Sequence, residues 1–395
     1  MTIRKVFIAC ALTGLAVLGS SLFLFGHLDP TLDSAFEEKL AAAENHQAET
    51  LIAQEAKSLG ITALDVATIK DGETARTLHF GRSKEGALMQ AASLSKAVAA
   101  AVILIQAEQE NVELDDDIRI QITSFDITKL NGGDRPVTLR QLLSHTAGAS
   151  QSGYAGYPRG NRPPSIAEVI SSPPRFFEFA LAFDGPPDEF RYSGGGYSLA
   201  QLWAQDVSGK GFTQLADELL LRPLNMKHST FEQPIENGPN WPLKITGADA
   251  RIDPTQALFS PLTNSWHNYP EQAAAGLWTT SEDYARFALA LVRASEGQEN
   301  AIPPSVAEAM MTPQVKTGWE TDTGPSHYGL GTMLELDEDG ALLSVSHTGA
   351  NAGYRSHFLA RPAAADTPAK VIVSIGNTPS AAPLNKAIVN GLNQN

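Results

Sequence analysis

Cysteine is almost absent from this chain: its 395 residues include one, Cys10. A lone cysteine excludes an internal disulfide and any cysteine-built metal site. Cationic residues are also sparse, 29 Lys+Arg against 44 Asp+Glu. The resulting net charge of −15 argues against a nucleic-acid partner, because proteins that grip a phosphate backbone show a basic footprint. The nine histidines, at 27, 46, 79, 145, 228, 267, 327, 347 and 357, include no pair four residues apart and no His-x-His, so the helical zinc pattern is missing. No Gly-x-x-x-x-Gly-Lys phosphate loop occurs, and Gly194-Gly195-Gly196 spells no dinucleotide fingerprint. The Gly-x-Ser-x-Gly elbow is absent as well. Neither a metal nor an organic cofactor therefore has support in the sequence.

Acidic residues are missing from one place. None precedes Asp29, whereas Arg4 and Lys5 stand near the start, so residues 29–395 carry −17. Between them, Val6 to Leu28 holds no Asp, Glu, Lys or Arg and is mostly apolar. Such a run can cross a bilayer, which needs about 20 helical residues. The flanking charges predict an inside N-terminus and an exported body. A cleaved signal peptide is the alternative reading, with Gly19-Ser20-Ser21 as its small residues; the apolar Leu22-Phe-Leu-Phe25 beyond fits an uncleaved anchor better. Both readings put the body on the periplasmic side of the inner membrane, anchored or released.

What is present is an ordinary globular composition, 43% apolar and 18% charged, long enough for two or three cores. Residues 34–59 have apolar positions at helical spacing, closed by Gly60. The runs 61–69 and 74–80 flank Lys70-Asp71-Gly72-Glu73 and read as a hairpin. A helix over 94–110 is apolar on every face in its middle, which places it inside a sizeable domain. From 115 to 270 the chain has helical pieces (139–144, 166–170, 197–207, 212–221) joined by Pro- and Gly-rich loops. A helix over 281–294 comes next, with Ser281 as its expected cap. Strands are expected at 328–336, 341–346, 354–360 and 370–375, and a last helix at 383–392. The expected fold is α/β of the α+β type, an antiparallel sheet flanked by helices and closed by both ends of the chain. Residues 34–114 and 271–395 would form the sheet lobe, and 115–270 an inserted, mainly helical lobe.

Three elements carry chemistry. Ser93-Leu94-Ser95-Lys96 puts a serine at the mouth of the buried helix, where free N–H groups and the helix dipole favour developing negative charge. One turn later Lys96 lies on the same side, and desolvation would lower its pKa and let it act as a base toward Ser93. The plainer alternative is that Ser93 caps the helix and Lys96 reaches solvent. In Arg191-Tyr192-Ser193-Gly194-Gly195-Gly196-Tyr197, the Tyr192 phenol can relay a proton to a leaving group, or simply pack in a core. In His347-Thr348-Gly349-Ala350, Gly349 allows close approach of a substrate backbone and the Ala350 N–H can face an oxyanion; a surface role for His347 is the alternative.

Taken together, the order of these elements resembles the serine β-lactamase and penicillin-recognising hydrolases, and most closely the class C branch with its D-alanyl-D-alanine carboxypeptidases and esterases. Val137-Thr-Leu-Arg-Gln-Leu-Leu-Ser-His-Thr-Ala-Gly148, Leu221-Arg-Pro-Leu-Asn-Met-Lys-His228, Ala274-Ala-Gly-Leu-Trp-Thr-Thr-Ser-Glu-Asp283 and Tyr328-Gly-Leu-Gly331 are similar too. The likeness runs over about residues 35–390, one catalytic unit within 29–395 after the segment 1–28. It implies that Ser93 is acylated, Lys96 is its base partner and Tyr192 relays protons. It further implies that His347, Thr348, Gly349 and Gly194 line the substrate site, and that the N–H groups of Ser93 and Ala350 form the oxyanion hole. His145-Thr-Ala-Gly148 reads as a decoy for the third motif, since it lies on the insertion. Gly194 stands where the family commonly has Asn, so the amide that would hold a β-lactam side chain or peptide carbonyl is missing. His347 in place of a common Lys makes the positive charge near a substrate carboxylate depend on pH. The expected activity is hydrolysis of an ester or amide through an acyl-enzyme on Ser93. A D,D-carboxypeptidase or β-lactamase, and a silent cell-wall ligand-binding protein, are the alternatives. The loops 149–164 and 232–270 are expected to set specificity.

Overall fold

The structure, a computed structural model, describes residues 32–33, 35–70, 72–159, 162–171, 179–235, 266–321, 324–364 and 367–394. The expected anchor or signal peptide over 1–28 and most of the 232–270 loop lie outside these residues. Among the described residues no helix is long and apolar enough to cross a membrane.

The strands, in chain order, are β1 Ala63–Lys70, β2 Glu73–Gly81, β3 Met89–Gln90, β4 Tyr157–Pro158, β5 His267–Asn268, β6 Trp278–Thr279, β7 Val315–Thr321, β8 Gly324–Tyr328, β9 Met333–Leu336, β10 Leu342–Asn351, β11 Tyr354–Arg361 and β12 Lys370–Gly376. Eight of them form one antiparallel sheet in the order β2-β1-β12-β11-β10-β9-β8-β7. The expected antiparallel sheet flanked by helices is thus what the chain builds, with β1 and β12 pairing its two ends (Val66 opposite Ser374).

Side chains alternate across the sheet because successive residues of a strand point to opposite faces. Leu64, Val66 and Ile372 join Phe36, Leu40, Ile52, Leu384 and Ile388 in one layer. Ala63, Ala67, Ile69, Val371 and Val373 face the larger core containing Tyr284, Phe287 and Leu291. Helix Ser95–Gln109 lies in that larger core, buried from Ser95 through Ala107, as its all-round apolar character requires.

Several boundaries differ from the sequence reading. The first helical stretch is two helices, Phe36–Ala41 and Asn45–Ser58, separated where Glu44 adopts an extended backbone. The strand expected over 328–336 is broken into β8 and β9, because Gly331 (φ +93°) turns the chain over the buried helix; a Cβ there would lie 2.5 Å from Ala100 Cβ. Strand β7 has no counterpart among the expected strands. Helix Ser281–Ser295 is capped by Thr280, whose hydroxyl accepts from the Asp283 N–H; the Ser281 N–H instead donates to buried Asp65 at 2.8 Å.

Candidate active site

Ser93 sits in a single tight turn, Ala92–Leu94, that leads into helix Ser95–Gln109. Ala92 has φ +51°, a left-handed backbone uncommon for a residue with a Cβ. Three hydrogen bonds from two other parts of the chain hold this turn. The Ala91 N–H donates to Leu277 O at 2.9 Å, and the Leu277 N–H donates to Ser95 Oγ at 3.0 Å. From β11, the Ser356 hydroxyl donates to Ala91 O at 2.6 Å. The capping position is Leu94, with no side-chain cap, so the Ser93 hydroxyl does not cap the helix.

Lys96 does not reach solvent either. It is 2% exposed, and its Nζ donates to Ser93 Oγ at 3.2 Å and to Ala274 O at 2.8 Å. The ammonium also lies 5.0 Å from the centre of the Tyr192 ring and 5.6 Å from that of Tyr197. Burial, uncompensated by any carboxylate in this set, brings its pKa down to about 7. The amine is therefore poised between its two protonation states near neutrality.

Tyr192 completes the group: burial raises the pKa of its phenol, and the neighbouring Ser93 hydroxyl opposes that rise. The helix start after it fixes its position. Ser193 caps helix Gly194–Ser208, accepting the Gly196 N–H at 3.0 Å and donating to Ser150 O at 2.5 Å. The glycine run lets the 150–154 segment approach this cap. A Cβ on Gly195 would lie 2.7 Å from Ser150 O, and one on Gly194 would lie 3.1 Å from the Tyr154 ring. Gly194 is thus beside the site, and the ring of Tyr154 borders the space where an asparagine side chain would project.

The third motif lies on β10, where burial alternates: His347, Gly349 and Asn351 point inward, Thr348 and Ala350 outward. Gly349 is pressed against the serine turn; a Cβ would lie 2.5 Å from Ala91 O and 3.1 Å from Ala92 Cβ. This contact sets the backbone of Gly349–Ala350 next to the turn of Ser93. The Thr348 side chain lies on the exposed face of β10.

His347 behaves differently from the expectation of a pH-dependent positive charge. It is 2% exposed, and both ring nitrogens are engaged: Nδ1–H donates to Thr348 O at 2.6 Å, and Nε2 meets the Tyr328 hydroxyl at 3.0 Å. Burial, with Lys96 nearby, lowers its pKa to about 3. The ring is neutral throughout the physiological range.

The sequence reading missed His145 as a member of this cluster. The histidine lies on the insertion and not on the late strand, yet its ring centre is 4.3 Å from Tyr192, 4.7 Å from Tyr328 and 5.2 Å from Tyr197. Its own backbone is left-handed (φ +63°), and the Ser193 N–H donates to its Nδ1 at 3.0 Å. Phe190 and Trp319 were missed too. They meet edge to face at 5.2 Å, and Trp319 lies 6.3 Å from Tyr192. Among the described residues, no group of three or more His, Cys, Asp or Glu is placed to hold a metal.

Residues 48–388 match the family described as Beta-lactamase. Among curated proteins, the chain is 25% identical over 206 residues to Protein flp of Staphylococcus aureus (strain MW2), covering 49% of this chain and 40% of that one. It is 24% identical over 181 residues to D-alanyl-D-alanine-carboxypeptidase/endopeptidase AmpH of Escherichia coli (strain K12), covering 44% and 46%. The matches thus span less than half the length of these relatives. Among solved structures, the octameric penicillin-binding protein homologue from Pyrococcus abyssi superposes with a TM-score of 0.65 at 22% identity, covering 86% of this chain and 75% of that one. The D-amino acid amidase from Ochrobactrum anthropi SV3 gives 0.64 at 17%, covering 91% and 98%. With the family match extending over most of its length, the chain belongs to the beta-lactamase family of serine hydrolases.

Proposed function

We propose that this protein hydrolyses an ester or amide through an acyl-enzyme on Ser93. The observation that carries the reading is the buried Lys96 Nζ, 3.2 Å from Ser93 Oγ. In its neutral form the amine accepts the Ser93 proton as Oγ attacks the substrate carbonyl. The bond to the leaving group then breaks, and the Tyr192 hydroxyl delivers a proton to it and is reprotonated from the Lys96 ammonium. Tyr192 serves as a neutral acid here, because its pKa is raised and, among the described residues, Lys96 is the one cation over its ring. N–H groups of Ser93 and Ala350 stabilise the oxyanion in this scheme. Water releases the acid by the reverse sequence. No metal or organic cofactor enters the reaction, and residues 1–28 hold or deliver the body on the periplasmic side.

The second reading is cleavage of a D-amino-acid amide or peptide, which the names of the AmpH relative and the amidase neighbour support. Incubation with a reactive acyl ester, followed by intact mass measurement, tests the shared mechanism. The expected result is one added acyl group in the wild type and none in Ser93→Ala. If the wild type is not labelled and turns over no short-chain 4-nitrophenyl ester, the protein is a binder and the hydrolase reading falls.

A further inference from the structure

Among the described residues three large apolar side chains are markedly exposed: Ile120, Phe179 and Trp319. Only Trp319, 45% exposed, belongs to the ring cluster of the candidate active site. Its placement is built into the hairpin. Gly318 has φ +79°, and the β7–β8 register shifts between Lys316 and Glu320. Such a bulge re-aims the residue within it. The Trp319 N–H then donates to Thr317 Oγ1 at 3.1 Å, and that buried hydroxyl is bonded to Ser326 Oγ at 2.8 Å. Phe190 backs the indole at 5.2 Å and itself rests against Tyr328 at 5.7 Å and His145 at 5.8 Å. The result is a supported aromatic shelf beside Tyr192.

In the proposed mechanism, on which this inference rests, the leaving group must lie against Tyr192 to receive its proton. The shelf therefore faces the leaving group and not the acyl part. Acidic residues flank the shelf in the chain, and the Lys96 ammonium lies behind Tyr192, 5.0 Å from its ring centre. Asp188 and Glu189 precede Phe190 and Glu320 comes directly after Trp319, and all three acidic residues are exposed. Arg191 is held by Asp184 at 2.5 Å, and Lys316 is the exposed cation on β7. His347, at the place where a cation would meet a substrate carboxylate, has both nitrogens committed to Thr348 O and the Tyr328 hydroxyl.

We infer that the Phe190–Trp319 shelf receives an uncharged aromatic leaving group, and that the site discriminates against leaving groups bearing a carboxylate. The reaction is then R–CO–OAr plus Ser93–OH giving R–CO–O–Ser93 plus ArOH. The C–OAr bond breaks, the C–Oγ bond forms, and the Ser93 proton reaches the departing phenolate by way of Lys96 and Tyr192.

Three acetates test this: 4-nitrophenyl, 3-carboxy-4-nitrophenyl and 2,2,2-trifluoroethyl. All deliver the same acetyl-enzyme, so differences in kcat/KM arise in binding and acylation. The carboxylated ester is expected to react at least about 10-fold more slowly than its neutral partner after correction for their rates in buffer. Trp319→Ala, at a solvent-facing position, should lower kcat/KM for the neutral aryl ester by about 5- to 20-fold more than it lowers that for the trifluoroethyl ester. Equal reaction of the two aryl esters, or a Trp319→Ala effect that is the same for aryl and alkyl esters, overturns the inference while leaving Ser93 acylation intact. Absence of Ser93-dependent acylation by all three overturns the hydrolase reading itself, and the shelf's assignment with it.

Discussion

The backbone N–H of Ser193 donates to His145 Nδ1 over 3.0 Å. Since Nδ1 accepts, the neutral ring carries its proton on Nε2, which is buried without a hydrogen-bond partner among the described residues. Burial and the nearby Lys96 push the ring's pKa well below its ordinary value, so this tautomer persists across the physiological range. The histidine thereby ties the 137–148 segment to the residue next to Tyr192, and its ring packs on Tyr192 at 4.3 Å.

His145→Phe separates these two roles, because it keeps a ring and removes the acceptor. We expect loss of about 1–3 kcal/mol of stability from the orphaned Ser193 N–H. Displacement of Tyr192 is expected to lower kcat/KM for aryl acetates by about 10²-fold. Urea unfolding and ester kinetics measure both. Wild-type kinetics in a folded His145→Phe protein would show that ring packing alone positions Tyr192.

The acid limb of the pH–rate profile should report Lys96. Its base form is the lowered-pKa amine, so kcat/KM should fall as pH drops through about 7 and Lys96 takes up its proton. His347, with a pKa near 3, is neutral on both sides of that limb. His347→Gln is therefore expected to leave the midpoint of the limb in place even if the rate changes. A midpoint that moves by about one pH unit or more in His347→Gln assigns the limb to the histidine instead.

These elements are unequally legible in the sequence. The buried helix is plain, because thirteen consecutive buried positions from Ser95 to Ala107 need an all-round apolar pattern. The order of Ser93, Lys96, Tyr192 and His347 along the chain points to the group that the fold assembles. His145 escapes because its function depends on a left-handed backbone and a bond to a residue 48 positions away, which no local pattern encodes. Trp319 escapes because its aim comes from a bulge in β7, a strand too polar on its exposed positions to read as one. The charge state of His347 is hidden for a similar reason. Its neutrality comes from burial and from the nearby Lys96, on a helix far away in the sequence.

Gly349 joins the sheet to the serine turn. A Cβ there would lie 2.2 Å from Ser356 Oγ and 2.5 Å from Ala91 O, and the second contact is backbone that cannot rotate away. Gly349→Ala is expected to push β10 off the turn, costing about 1–3 kcal/mol in stability. Because the Ala350 N–H moves with it, kcat/KM should fall by about 10²-fold or more, as for a lost oxyanion donor. A stable, fully active Gly349→Ala protein would show that the oxyanion is held elsewhere.

Gly194 and Tyr154 govern the other side of the site. An asparagine at 194 would have to displace the Tyr154 ring, which stands 3.1 Å from its Cβ position and is fixed by a 2.8 Å bond between Tyr154 Oη and Ser198 Oγ. The wild type, lacking that amide, is expected to turn over nitrocefin far below the roughly 10–1,000 per second typical of well-adapted enzymes. Gly194→Asn alone should not raise the rate, since its Cβ would press on the Tyr154 ring. Gly194→Asn combined with Tyr154→Ala should raise it by about 10-fold or more, the gain of a hydrogen bond to the substrate amide. Nitrocefin hydrolysis measured across these three proteins distinguishes the cases. A fast wild type shows that β-lactam turnover does not need the amide, and an equally improved single variant shows that Tyr154 yields.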